Sequence, residues 1–107
     1  MEQLKLTRIE KAIKEIKKRL FDIGDIRPGS LSKQMRRSKE KYGAYWHLSY
    51  THKGKGHTEY IREESVSQLK QEVKNYKRYR TLFERLVTLS IEMSKIRMTL
   101  GSDDALK

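Results

Sequence analysis

The chain has 107 residues, 25 Lys+Arg against 14 Asp+Glu for a formal charge of +11, and 36% hydrophobic residues. So short a chain does not build two independently stable cores, so one domain over residues 1–101 is expected and a multidomain enzyme is excluded. A mean hydropathy of −0.89, with no apolar run near the roughly 20 residues of a spanning helix, excludes a transmembrane segment, and zero Cys removes disulfides, thiolate zinc sites and a cysteine nucleophile.

The N-terminus is charged and periodic and carries no signal-peptide pattern, which points to the cytosol. Leu6, Ile9, Ile13, Ile16, Leu20 and Ile23 recur in steps of three and four, predicting an amphipathic helix over 1–23 with a narrow, coiled-coil-like seam. Thr7 and Glu10 have capping-box spacing, and Gly24 suits a left-handed helix end. Glu10, Glu15 and Asp22 accompany the lysines of this helix, so its basic face reads as ordinary coiled-coil flanks.

Residues 24–43 read as a basic loop. Arg27-Pro28-Gly29-Ser30 marks a turn, and Ser30 or Ser32 has the chemistry to cap a short helix through Arg37. From Tyr45 to Thr51 the pattern alternates, with Trp46, Leu48 and Tyr50 on one face; Lys53-Gly54-Lys55-Gly56 makes a turn and His57 to Ile61 returns. The expectation is a two-stranded β-hairpin over 44–62 whose Trp46 face packs on a helix, because a lone hairpin is marginal in water.

After Glu63 the seam resumes as Val66, Leu69, Val73 and Tyr76, then as Tyr79, Leu82, Leu86, Leu89, Met93, Ile96 and Leu100. Two consecutive steps of three at Val73, Tyr76 and Tyr79 rotate it, so one long helix over 63–100 presents two faces. The second stretch matches the N-terminal seam in length and pairs with it, within the chain or in a homodimer, while the first covers the hairpin. Gly101 ends the helix and 102–107 reads as a disordered tail. The fold class is α+β, mostly α: an N-terminal and a long C-terminal helix pairing around a central hairpin.

Charge is uneven. Residues 24–62 hold 9 basic and 3 acidic side chains, over half of the excess. Such a field attracts polyanions, so nucleic acid, DNA ahead of RNA, is the first partner to expect, ahead of a membrane surface. Lys33, Arg36, Arg37, Lys39 and Lys41 supply cations for phosphates, Tyr42 and Tyr45 supply rings for bases, and Lys53 and Lys55 extend the footprint at the hairpin tip. Lys74, Lys77 and Arg78, with Arg85 seven residues on, form a stripe on the long helix suited to a phosphate backbone or groove. His47, His52 and His57 are evenly spaced, but a spacing of five puts the first two on opposite strand faces, so no metal is expected. No converging carboxylates or Gly-rich phosphate loop support catalysis, and neither an enzyme nor a cofactor is expected.

Pro28-Gly29-Ser30-Leu31-Ser32, a basic stretch, Gly43-Ala44-Tyr45-Trp46-His47-Leu48-Ser49-Tyr50, a Gly-Lys hairpin and a helix with Tyr76, Tyr79, Leu82 and Leu86 together resemble a small uncharacterised prokaryotic domain family. Its members often sit beside transposase-related proteins of mobile elements, and the likeness covers about residues 26–97. Relatives commonly carry cysteines where this chain has Arg36, Arg37, Ser38, Lys39 and Lys41, so a metal role does not transfer. The resemblance implies a mobile-element or phage setting and nucleic-acid binding, and no catalytic residue. The rival expectation is a phage- or mobile-element-encoded adaptor or inhibitor that binds a host protein or ribonucleoprotein through the exposed part of its Val66 to Leu100 seam, with Leu86 and Met93 as the positions that test it.

Overall fold

A computed structural model describes residues 2–35 and 44–105, in the order α1 (Glu2–Asp22), β1 (Ser30–Met35), β2 (Ala44–His52), β3 (Lys55–Ile61) and α2 (Glu63–Ala105). The fold is α+β and mostly helical, with a three-stranded antiparallel sheet lying between the two helices in the chain. Two compact units divide it: one joins residues 1–23 to 79–107, the other is 24–78. That division falls inside α2 at the paired three-residue steps, where the seam rotates.

In the helical unit Ile9, Ile13 and Ile96 are buried, with Leu6, Leu86, Leu89, Met93 and Leu100 packed around them. The seams therefore close within one chain. Ion pairs from Lys5 to Glu92 (3.3 Å) and from Arg97 to Glu10 (3.1 Å) flank the core, as expected where long charged side chains border an apolar seam. Thr7 does not cap: α1 already runs from Glu2, and the Thr7 hydroxyl donates back to the Gln3 carbonyl at 3.0 Å. Gly24 is not left-handed either; among the described residues positive φ occurs at Gly29, Lys53 and Gly54.

In the sheet unit the strand order is β1-β2-β3, with Leu31 opposite Leu48 and His47 opposite Tyr60. Residues 30–35, expected as a loop leading into a short basic helix, are instead a strand. Leu31 and Lys33 alternate with Ser32 and Gln34, and β2 supplies the ladder that serine capping would have competed for. The sheet thus has three strands where two were expected. The hairpin is also tighter: His52 pairs with Lys55 across the two-residue turn Lys53-Gly54, both at positive φ (53° and 78°), which matches the right-handed twist of the strands. Leu48, wholly buried, packs with Leu69 and Val73 of α2, and Leu31, Tyr50 and Ile61 close around them. The first turns of α2 cover the hairpin, as the seam predicted.

α2 begins with Glu63 and Glu64, which complement the helix dipole. It continues through Gly101 to Ala105, past the stop expected there. A glycine in a helix costs only about 1 kcal/mol, so it weakens the last turn without forbidding it. Residues 106–107 of the expected tail lie outside the described residues.

Candidate nucleic-acid interface

Alternation along β2 gives the sheet two chemically different faces. On the face toward α2, the Trp46 indole donates to Glu63 Oε2 at 2.7 Å, and two ammonium groups lie against its ring: Lys33 from β1 at 5.5 Å and Lys70 from α2 at 4.8 Å. Each contact attracts a cation to the ring quadrupole, and together they hold two positive charges beside one aromatic surface. Lys70 then opens a row at i, i+4 and i+8 with Lys74 and Arg78, and Lys77 lies one turn from Lys74 on the same side. All four are exposed. A cationic track runs from Lys33 past Trp46 and along the first part of α2.

Lys70 escaped the sequence reading, although its place four residues after Val66 puts it at the edge of the buried seam. Arg36, Arg37, Lys39, Lys41 and Tyr42 lie outside the described residues. Lys53 and Lys55 are exposed at the hairpin tip. Seven residues of strand separate Tyr45 from His52, about 23 Å at 3.3 Å per residue, so tip and rings are two patches instead of one. Arg85 belongs to the helical unit.

Several cations are already matched to this molecule's own carboxylates. Arg27 pairs with Glu59 at 2.8 Å, Arg62 with Glu64 at 3.9 Å and Arg80 with Glu84 at 3.4 Å. Among the described residues Lys33, Lys53, Lys55, Lys70, Lys74 and Arg78 enter no ion pair. The candidate track therefore keeps its charge.

Arg27 serves the sheet. Its guanidinium lies 4.8 Å from the Tyr50 ring centroid while bonding Glu59, Tyr50 donates its hydroxyl to the same Glu59 oxygen at 2.8 Å, and His57 stacks on Tyr50 at 4.9 Å. The Tyr50 hydroxyl bond, then the Arg27 bond and charge, hold the Glu59 carboxyl below its ordinary range, and the same carboxylate raises the Tyr50 phenol. His57 is thus a stacked ring, and among the described residues no group of His, Asp or Glu is placed to hold a metal.

On the opposite face Tyr45 donates its hydroxyl to Gln34 Oε1 at 2.8 Å, and its ring lies 5.3 Å from that of Tyr60 and 6.2 Å from that of His47. These three rings, with Gln34 and Thr58, line one shallow concavity. From sequence Tyr45 is expected as a ring for bases and His47 is weighed only as a metal ligand; the register that opposes His47 to Tyr60 is what gathers the three.

In the helical unit Leu86 and Met93, the positions that test the adaptor expectation, are half-buried against the core. Among the described residues of α2 the large exposed apolar side chains are Phe83, Val87, Ile91 and Met98, which line one side of the helix beside Leu86. No helix among the described residues is long and apolar enough to cross a membrane.

A three-stranded antiparallel sheet packed on the first turns of α2, following one helix and preceding the rest of another in the chain, makes this a small α+β protein. The chain belongs to a family described as a domain of unknown function (DUF6788), whose model matches residues 6–71, from α1 through the sheet into the first turns of α2. That description names no activity and carries no link to transposases or mobile elements. No curated protein and no solved structure matches the chain.

Proposed function

We propose that the protein is a non-enzymatic nucleic-acid-binding module of a mobile element or phage, in which the sheet unit engages a phosphate backbone. The observation that carries this reading is the row of cations outside any ion pair from Lys33 and Lys70 at Trp46 to Lys74 and Arg78, in a unit where Arg27 is neutralised by Glu59. Lys77, Lys53, Lys55 and the basic segment Arg36, Arg37, Lys39 and Lys41 add further phosphate ligands, and Tyr42 and Tyr45 offer rings. Phosphate contacts of this kind position without reading sequence. The decisive experiment is capture from native lysate with and without nuclease, repeated with Arg36, Arg37 and Lys39 all changed to Glu. Binding lost to nuclease and to charge reversal, with an unchanged circular dichroism spectrum, supports the reading. Nuclease-resistant capture that survives the reversal overturns it.

A second reading is favoured by the exposed face of α2. Phe83, Val87, Ile91 and Met98 are 49, 41, 52 and 64% exposed and follow one another by helical steps with Ser94 between. A second copy of the chain fits this face: laid antiparallel about Ser90 and Ile91, Phe83 meets Met98 of the other copy, and Glu84 falls on the same flank as that copy's Lys95. Sedimentation at two concentrations checks it. A wild-type dimer that Ile91→Glu converts to monomer is expected; a wild-type monomer leaves the face to a foreign helix, the adaptor role.

A further inference from the structure

The sheet face turned away from α2 carries a feature that the cationic track does not require. Its residues, Ser32 and Gln34 on β1, Tyr45, His47, Ser49 and Thr51 on β2 and Thr58 and Tyr60 on β3, include no acidic, lysine or arginine side chain. Three of them are rings gathered at one end, with Tyr60 71% exposed. The adjacent core explains none of this, because Leu48 is buried, with Leu31 and Ile61 packed against it, on the other side. Polar residues would satisfy a solvated sheet face equally well, and at Ser49, Thr51 and Thr58 they do.

Positive charge adjoins the ring cluster: Arg62, exposed, follows Tyr60 by two residues in the chain. Arg62 is held only by a 3.9 Å pair with Glu64, both largely exposed, an interaction worth little in water. Neutral rings beside a cation suit a ligand with flat apolar faces on a polyanionic backbone. In a duplex the base faces are hidden by stacking and only edges and phosphates are offered, so rings on an open sheet gain nothing from it. Unpaired bases do present those faces.

We propose that Tyr45, Tyr60 and His47 form a stacking platform for the unpaired bases of single-stranded nucleic acid. Tyr60 is the outermost ring. Tyr45 is held in place by its hydrogen bond to Gln34 Oε1, and that bond leaves the Gln34 amide N–H groups as donors for a base edge. This inference rests on the nucleic-acid reading above and narrows it to single strands.

The test uses the full chain and three fluorescent probes of equal length: oligothymidylate, its abasic deoxyribose-phosphate analogue and a duplex. Binding of oligothymidylate at least 10-fold tighter than of the abasic strand is expected, and Tyr60→Ala lowers it about 5- to 100-fold, the range of one lost base–aromatic contact. Tyr60→Phe keeps the ring and the affinity. Neither variant changes binding to the abasic strand, which reports the cations alone, and because Tyr60 is exposed both retain the wild-type melting curve. Equal affinity for thymidylate and abasic strands, or a Tyr60→Ala protein as tight as wild type, overturns the platform while leaving the phosphate-binding reading intact. Failure of all three probes at low salt overturns both.

Discussion

Gly29 sits where the chain enters β1 with φ at 138°, and a Cβ there would meet Leu48 Cδ1 at 2.8 Å and the Ser49 carbonyl at 3.0 Å. Conformation and space both demand glycine, since Leu48, fully buried, fills the site a methyl would take. Gly29→Ala is expected to lower stability by about 1–3 kcal/mol through backbone strain, read from urea midpoints. Glu59 offers a test by pH. Its folded pKa is depressed by the Tyr50 hydroxyl and then Arg27, so its contribution is present above the ordinary 4.5 and is lost as pH falls through the folded value. The stability gap between wild type and Glu59→Gln should therefore be constant near neutrality and close below about pH 4.5. Tyr50 is shifted upward, chiefly by its bond to Glu59. Its contribution is complete below the ordinary 10.0 and disappears as pH rises through the folded value.

At the scale of elements, α2 serves two partners along one length. Leu69 and Val73 pack on Leu48 of the sheet, while Ile96 packs on Ile9 and Ile13 of α1. The two consecutive steps of three at Val73, Tyr76 and Tyr79 foretold this change of face, because a heptad seam cannot shift by three without rotating. The hairpin was equally legible, since the alternation from Tyr45 to Thr51 admits no helical reading. β1 was not. Ser30-Leu31-Ser32 satisfies a helix-capping pattern as well as a strand, and only pairing with β2 decides between them. Leu48 joins all three strands to α2, so Leu48→Ala should cost about 2–5 kcal/mol. The melting transition of the isolated chain, followed by circular dichroism, checks it.

For the molecule as a whole, charge is the property with a direct functional consequence. A net +11 attracts polyanions at a distance, but the number of phosphates engaged depends on which cations remain unpaired. With about five neutralised, log K against log salt on duplex DNA should fall with a slope of about −4 to −5. Changing Lys33, Lys70 and Lys74 together to Gln should flatten that slope by about 2 to 3, whereas changing Lys5 and Arg97, which are paired on the helical unit, should leave it nearly unaltered. A slope insensitive to the first set would remove the track from the interface.

Periodicity and composition alone determined the helices, the hairpin, the division of labour along α2 and the concentration of cations in the middle of the chain. Each of these is a local regularity, written in residues three, four or two apart. Only the tertiary structure decided that β1 joins the sheet, that Lys33 and Lys70 converge on Trp46 from different elements, that Arg27 is neutralised by Glu59, and that Tyr45, His47 and Tyr60 share one open face. These depend on strand register and on helix-to-sheet packing, which bring together residues as far apart in the chain as Lys33 and Lys70, and such pairings leave no periodic trace in the chain.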